Sequence, residues 1–254
     1  MSELSAELVF LCRTLKAPSL ARSLPKLAER ARSEEWTYER FAEAILSVEA
    51  QSREAHGGEG RIRAARFPAR KTLEEFDYSF AASVKKTIVL HLGQLDFLAG
   101  KENVLLLGPP GTGKTHLAVA VAIRACLAGH RVLFATATEW VARLQEAKRQ
   151  GRLEDEIRRL GRYPLIVIDE VGYIPFDPDA ANLMFTLVSA RYERASLIVT
   201  SNKPFSEWGA IFGDDVTAAA MIDRLVHHAE ILSLKGDSYR LKNRDIDRHA
   251  TPAR

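Results

Sequence analysis

The chain has 254 residues, of which 46% are apolar and 27% charged, with a formal net charge of +3; that is the make-up of an ordinary soluble globular protein with room for one large core and a smaller one. Its two cysteines, Cys12 and Cys126, lie far apart with neither paired nor metal-ligand spacing, so both are expected as reduced thiols in a cytoplasmic protein without a zinc site. The opening MSELSAELVF has no basic segment before an apolar one, and the most apolar helical stretch is interrupted by Arg124, so neither a signal peptide nor a membrane span is expected.

Residues 3–55 carry apolar positions at helical spacing (Leu4, Leu8, Leu11, Leu15; Leu20, Leu24, Leu27; Tyr38, Phe41, Ile45, Val48) and no alternating run, which predicts a small all-α domain over 1–60. Pro18 and Pro25 are expected to break its first two helices and Thr37 to cap the third; Trp36, Tyr38 and Phe41 read as core, with a partner-binding or base-stacking surface as the alternative. Residues 1–72 hold 13 Lys and Arg against 10 Glu and no Asp, so the whole surplus of +3 sits there. After His56-Gly57-Gly58-Glu59-Gly60, the basic residues Arg61, Arg63, Arg66, Arg70 and Lys71 are read as a linker over 61–72, able to follow phosphates of DNA.

From residue 73 the pattern changes to a helix-like stretch, 83–97, and then to short apolar runs separated by helices. Strands are predicted at 104–107, 131–135, 165–168, 196–200 and 230–234, which is the pattern of a parallel α/β sheet covered on both faces. The first strand runs into Gly108-Pro109-Pro110-Gly111-Thr112-Gly113-Lys114-Thr115 and then a helix from His116. This octet is a phosphate cradle: inward backbone N–H groups and a helix N-terminus meet the anion, Lys114 reaches the β- and γ-phosphates, and Thr115 completes a Mg²⁺ shell.

Between the second and third strands lie Lys148, Arg149, Arg152, Arg158, Arg159 and Arg162, a second candidate DNA surface, interleaved with Glu146, Glu154, Asp155 and Glu156 that would pair with them. The third strand ends in Asp169-Glu170. Paired acids at the end of a buried strand point to a cation: Asp169 beside Mg²⁺, and Glu170 placed to polarise the attacking water. The fourth ends in Thr200-Ser201-Asn202, where Asn202, or else Thr200, would face the γ-phosphate. Arg224 stands outside the apolar positions of its helix, either for a neighbouring subunit's phosphate or in a local pair with Asp223 or Glu230. His227-His228 diverge by about 100° on a helix, with no further ligand near in sequence, so no metal beyond Mg²⁺ is expected.

The stretches LEEFDYSF (73–80), GPPGTGKTHLA (108–118), IVIDEVGYIP (166–175), VTSNKPFSEWGAIFGD (199–214), AAAMIDRLVHHAEIL (218–232) and KGDSYRLK (235–242) resemble the AAA+ ATPases, and more closely the branch holding the helicase loader DnaC and the transposition helper IstB, with IstB the nearer. The resemblance implies a P-loop AAA+ domain over 73–254 without a C-terminal lid. It makes 108–116 the ATP-binding segment, Asp169 and Glu170 Walker B, Asn202 sensor 1 and Arg224 an arginine finger, with Arg240 a weaker stand-in for the second sensor. It further implies an ATP- and Mg²⁺-dependent homo-oligomer on DNA of any sequence, partnered by a transposase or, alternatively, a replicative helicase. A small-molecule kinase shares the phosphate loop, but Glu170 and the lack of an Arg-rich lid stand against it.

Overall fold

The structure is a computed structural model that describes residues 4–81, 83–236, 238 and 239, in two compact units, Met1–Gly60 and Arg61–Arg254. In the first, α1 (Ala6–Thr14) opens on the Ser5 hydroxyl, which accepts the Leu8 N–H at 3.2 Å. α2 (Pro18–Ser33) starts on Pro18, the position where a missing N–H costs nothing. The buried Glu49 carboxylate accepts the Leu20 N–H at 3.0 Å, a negative charge at the helix's positive end. Pro25, expected to break α2, lies inside it, although an interior proline loses one helical hydrogen bond and crowds the carbonyl of Ala21, a cost of about 3 kcal/mol.

α3 (Tyr38–Ala65) begins after Thr37, whose hydroxyl accepts the Arg40 N–H at 3.3 Å, as the sequence predicts. The aromatic residues at this corner are not core: Tyr38 is 92% exposed, and Trp36 and Phe41 are half-buried. The Trp36 ring instead lies against the guanidinium groups of Arg30 and Arg40, at 5.5 and 4.6 Å, with its N–H donated to Glu34. The linker reading also fails at its start. α3 continues through Gly57, Gly58 and Gly60 to Ala65, because isolated glycines cost a helix about 1 kcal/mol each without removing its hydrogen bonds.

In the second unit Ala65 is fully buried and Arg61 donates from Nε to the Cys126 carbonyl at 2.7 Å. The helix expected over 83–97 is two short ones, α4 (Lys86–Leu92) and α5 (Asp96–Gly100), parted at Leu95 by a left-handed backbone of φ 70°. The five predicted strands are all present: β1 (Asn103–Leu107), β2 (Val132–Thr136), β3 (Leu165–Val171), β4 (Ser196–Ser201) and β5 (Ala229–Ser233). They pair in parallel in the order β2-β3-β4-β1-β5. Because β1 lies between β4 and β5 while β2 and β3 lie beyond β4, the chain leaving β1 opens a crevice at the carboxyl edge, where ligands of such sheets bind.

β1, β3 and β4 are covered on both faces, which is why they read as apolar runs, whereas the edge strand β5 is partly exposed. Val104 and Leu106 face the helix α6 (Lys114–Leu127), whose residues Leu117–Ile123 are all buried. Leu105 and Leu107 face the other layer, made of α7 (Ala137–Arg149), α8 (Leu153–Leu160), α9 (Pro178–Arg191), α10 (Trp208–Phe212) and α11 (Asp215–Val226). Trp140 and Trp208 are wholly buried there, with their N–H groups on the carbonyls of Val167 and Lys203.

Arg191, 2% exposed at the end of α9, donates to the carbonyls of Leu160 (3.0 Å), Tyr163 (2.9 Å) and Ser196 (2.8 Å), joining the end of α8 and its connection to β3 with the start of β4. Burial brings its pKa down to about 10, so it stays charged at neutral pH. Arg191→Ala is expected to lose about 3 kcal/mol in urea unfolding, since it leaves buried carbonyls without donors; a loss under about 1 kcal/mol would mean that water replaces the guanidinium.

Candidate functional site

The phosphate loop joins β1 to α6 and is shaped by its own side chains. The Thr112 hydroxyl donates to the Pro109 carbonyl at 2.8 Å, which pins the turn. Gly111 takes φ 81° and Gly113 φ 96°, the left-handed region that favours glycine, and a Cβ on Gly113 would stand 2.6 Å from the Phe76 ring. Lys114, only 7% exposed, donates from Nζ to the carbonyls of Gly108 (2.6 Å) and Pro109 (2.7 Å). Its ammonium is therefore folded over the cradle, with carbonyl oxygens standing in for the phosphate oxygens expected there.

The acids of β3 sit beyond β4, which lies between β3 and β1. Thr115 donates to Asp169 at 3.0 Å, and the Thr200 hydroxyl of β4 donates to the same carboxylate at 2.6 Å while accepting the Glu170 N–H at 2.9 Å. Burial raises the Asp169 pKa above the usual carboxylate value, against the pull of these hydroxyls and Lys114. A buried carboxylate so placed is stabilised by a cation, and Thr115 and Asp169 supply the hard oxygen donors that Mg²⁺ prefers. The register of β3 on β4 slips between Ile168 and Val171, and Glu170 takes φ 63°. This bulge sends Glu170 to the cavity wall instead of into the ladder. Asn202, also on that wall, has a buried Oδ1 without a hydrogen-bond partner among the described residues, a polar atom suited to a ligand or water.

The cavity in front of these groups measures about 460 Å³, in the range of small-molecule sites. Gly111, Thr112, Gly113, Lys114, Thr115 and His116 form one wall; Gly108, Pro109 and Pro110 lie behind it and act through the loop's shape. His116 was expected as a nucleotide ligand, and its ring nitrogen is tied to the Thr72 carbonyl at 2.8 Å while the ring packs on Phe76.

The opposite wall went unread in the sequence. Phe76, Phe80 and Tyr239 line it with Arg70, Lys71 and Asp77, a half-apolar, half-charged lining suited to a base and ribose. Asp77 accepts the N–H groups of Ser79 and Phe80 and so fixes the turn that presents Phe80. Beyond β5 the chain returns over the loop: Lys235 and Ser83 exchange hydrogen bonds, the Tyr239 N–H donates to the Gly111 carbonyl at 3.0 Å, and the Tyr239 ring meets Phe80. The signal available was the aromatic spacing of 76, 78 and 80 ahead of β1. Arg240 lies outside the described residues.

The structure scatters the residues read as DNA contacts. Arg70 and Lys71 are on the cavity wall and Arg61 is spent on Cys126, which leaves Arg63 and Arg66 exposed. In the second cluster Lys148 pairs with Asp179 (2.8 Å) and Arg149 with Glu146 (2.7 Å), and Arg152 donates to Gln150. Arg224 does not reach its own chain's cavity: it donates to the Ala220 carbonyl at 3.1 Å and lies 4.5 Å above the Phe185 ring, not in the local acid pair weighed for it.

Comparison with known proteins agrees with this geometry. The family model described as IstB-like ATP binding protein matches residues 11–246. The ATP-binding protein of insertion sequence IS21 from Pseudomonas aeruginosa is 44% identical over 94% of this chain and 90% of its own length. That of IS5376 from Geobacillus stearothermophilus is 40% identical over 92% and 94%. Among solved structures, AMPPCP-bound DnaA from Aquifex aeolicus superposes with a TM-score of 0.57 at 19% identity, over 70% of this chain and only 54% of DnaA. The DnaC helicase loader superposes with 0.50 at 19% identity, over 69% of this chain and 99% of that one. At such identity these two likenesses speak for the fold, that of the P-loop AAA+ proteins.

Proposed function

Since the chain belongs to the family of IstB-like ATP binding proteins found in insertion sequences, we propose that it is an ATP-hydrolysing AAA+ regulator that assembles in several copies on target DNA, without sequence preference, and recruits or activates a transposase. The observation that carries the reading is the junction of Thr115, Asp169 and Thr200 with Glu170 turned beside it by the bulge. A scaffold that merely held nucleotide would need the cation site but no second acid on the cavity wall.

The residues divide the work. Lys114 and the loop's N–H groups bind the phosphates, and Thr115 and Asp169 hold Mg²⁺, which when bound supplies positive charge for the phosphate oxygens. Glu170 accepts a proton from the attacking water, and Asn202 orients that water, which donates to its unpaired amide oxygen, while its NH2 group can donate to the terminal phosphate. Phe76, Phe80 and Tyr239 enclose the base. The helices of residues 1–60 form the DNA- and partner-facing part, and in the second unit the exposed Arg63 and Arg66 supply charge for phosphates; DNA affinity resting on such charges falls steeply with salt.

Light scattering with a DNA duplex, comparing ATP, ADP and no nucleotide, tests the assembly. A large complex with ATP alone is the expected result, and a monomer in all three states would count against it. Pull-down from the full chain in its ATP state then separates a transposase partner from a replicative helicase, the partner of the DnaC-like alternative.

Arg224 bears on the same question, because its guanidinium is half-buried on α11 and turned from its own cavity. Arg224→Ala is expected to bind ATP normally and lose turnover about 10³-fold, as for arginines that act on a neighbour's phosphate. Mixed with Lys114→Ala subunits, which keep Arg224, it should regain part of the activity. Absence of rescue at every mixing ratio would place the role of Arg224 within its own subunit.

A further inference from the structure

Glu193, His227 and His228 come from two corners of the fold that the sequence keeps over 30 residues apart, and their ligating atoms all lie within 4.8 Å of one another. The adjacent histidines gave no metal signal in sequence because the third group arrives from the turn between α9 and β4. Glu193 Oε1 is 3.8 Å from His227 Nδ1 and 3.9 Å from His228 Nε2, and the imidazoles stand edge to face with centroids 4.3 Å apart. Around a tetrahedral ion with bonds of 2.0–2.2 Å, ligand atoms sit about 3.4 Å apart. Small side-chain rotations close that difference.

Both corners are held in place before any ion arrives. The His228 carbonyl accepts the Asn103 N–H at 2.8 Å, and the buried Asn103 side chain donates to the Leu225 carbonyl at 3.0 Å and accepts the Leu197 N–H at 2.9 Å, fixing the exit of α11. On the other side Arg191 anchors the end of α9, and Glu193 itself holds φ 55°, a left-handed backbone that a non-glycine residue keeps only when its surroundings impose it. Ligands carried on rigid corners lose little entropy on binding.

We infer that Glu193, His227 and His228 form a binding site for a borderline divalent transition ion of the Zn²⁺ class. Two imidazoles and one carboxylate suit that class and not Mg²⁺ or Ca²⁺, which take oxygen donors. All three side chains are about half exposed, so a fourth coordination position stays open to water or to a donor from another molecule. The site lies at the amino ends of β4 and β5, at the opposite edge of the sheet from the phosphate loop, and is distinct from the proposed Mg²⁺ site. An ion there would tie the end of α11, three residues past Arg224, to the end of α9.

The test is calorimetric titration of ZnCl₂ into the full chain with Mg²⁺ and ADP already saturating, so that the nucleotide site is filled. The expected result is one tight Zn²⁺ per chain, with affinity reduced at least tenfold in His228→Ala and in Glu193→Gln and unchanged in His91→Ala. Co²⁺ used in place of Zn²⁺ should give the intense visible absorption of a four-coordinate site in the wild type and lose it in both variants. No Zn²⁺ uptake, or uptake unchanged in the His227→Ala/His228→Ala double variant, would overturn the inference. Circular dichroism without metal checks the fold; if His228→Ala unfolds, the exposed Glu193→Gln carries the comparison alone.

Discussion

Lys114→Ala is expected to weaken ATP binding by about a hundredfold and to remove nucleotide-dependent assembly with it. The Nζ group is nearly buried and makes two short hydrogen bonds to the loop carbonyls of Gly108 and Pro109. These are the contacts that phosphate oxygens would replace, with full charge in place of a partial one. Charge-assisted hydrogen bonds contribute about 1.5–3 kcal/mol each, and about 2.7 kcal/mol corresponds to a hundredfold in affinity. Titration with a fluorescent ATP analogue measures it. An affinity within threefold of the wild type would show that the lysine braces its own loop and that the backbone alone binds the phosphates.

Glu170→Gln is expected to leave ATP affinity unchanged and slow hydrolysis by 10²–10⁴-fold, the range for removal of a general base. The substitution keeps size and shape, the backbone N–H still reaches the Thr200 hydroxyl, and Asp169 keeps both of its hydroxyl donors. Single-turnover hydrolysis beside equilibrium binding separates the two effects, and the ATP-held DNA complex should live correspondingly longer. Wild-type turnover in this variant would assign the proton to another acceptor and leave the bulge at Glu170 without a chemical role.

The sheet was legible in the sequence because its central strands, buried on both faces, read as apolar runs; the five strands fell within two or three residues of their predicted places, although β5 at the edge is partly exposed. The phosphate loop was legible for a similar reason, since its glycines and lysine serve a backbone shape fixed by local chemistry. What escaped was set by tertiary structure. The bulge that turns Glu170 to the cavity depends on the register of β3 against β4. The aromatic wall depends on Phe80 meeting Tyr239 from the far end of the chain. The linker reading gave three glycines more weight than the helical hydrogen bonds on either side of them, and α3 runs through. Arg70 and Lys71 carried the charge of a DNA contact, and only packing placed them on the nucleotide cavity.

The three tryptophans divide between the two units. Trp36, half-buried between two arginines, belongs to the helical unit, whereas Trp140 and Trp208 are wholly enclosed in the sheet-bearing unit. Intrinsic fluorescence therefore comes in two colours: a red-edge emission open to iodide quenching from the first, and a blue, protected emission from the second. During chemical denaturation each unit reports its own melting without a label, and Trp36→Phe silences the first signal while leaving the second intact.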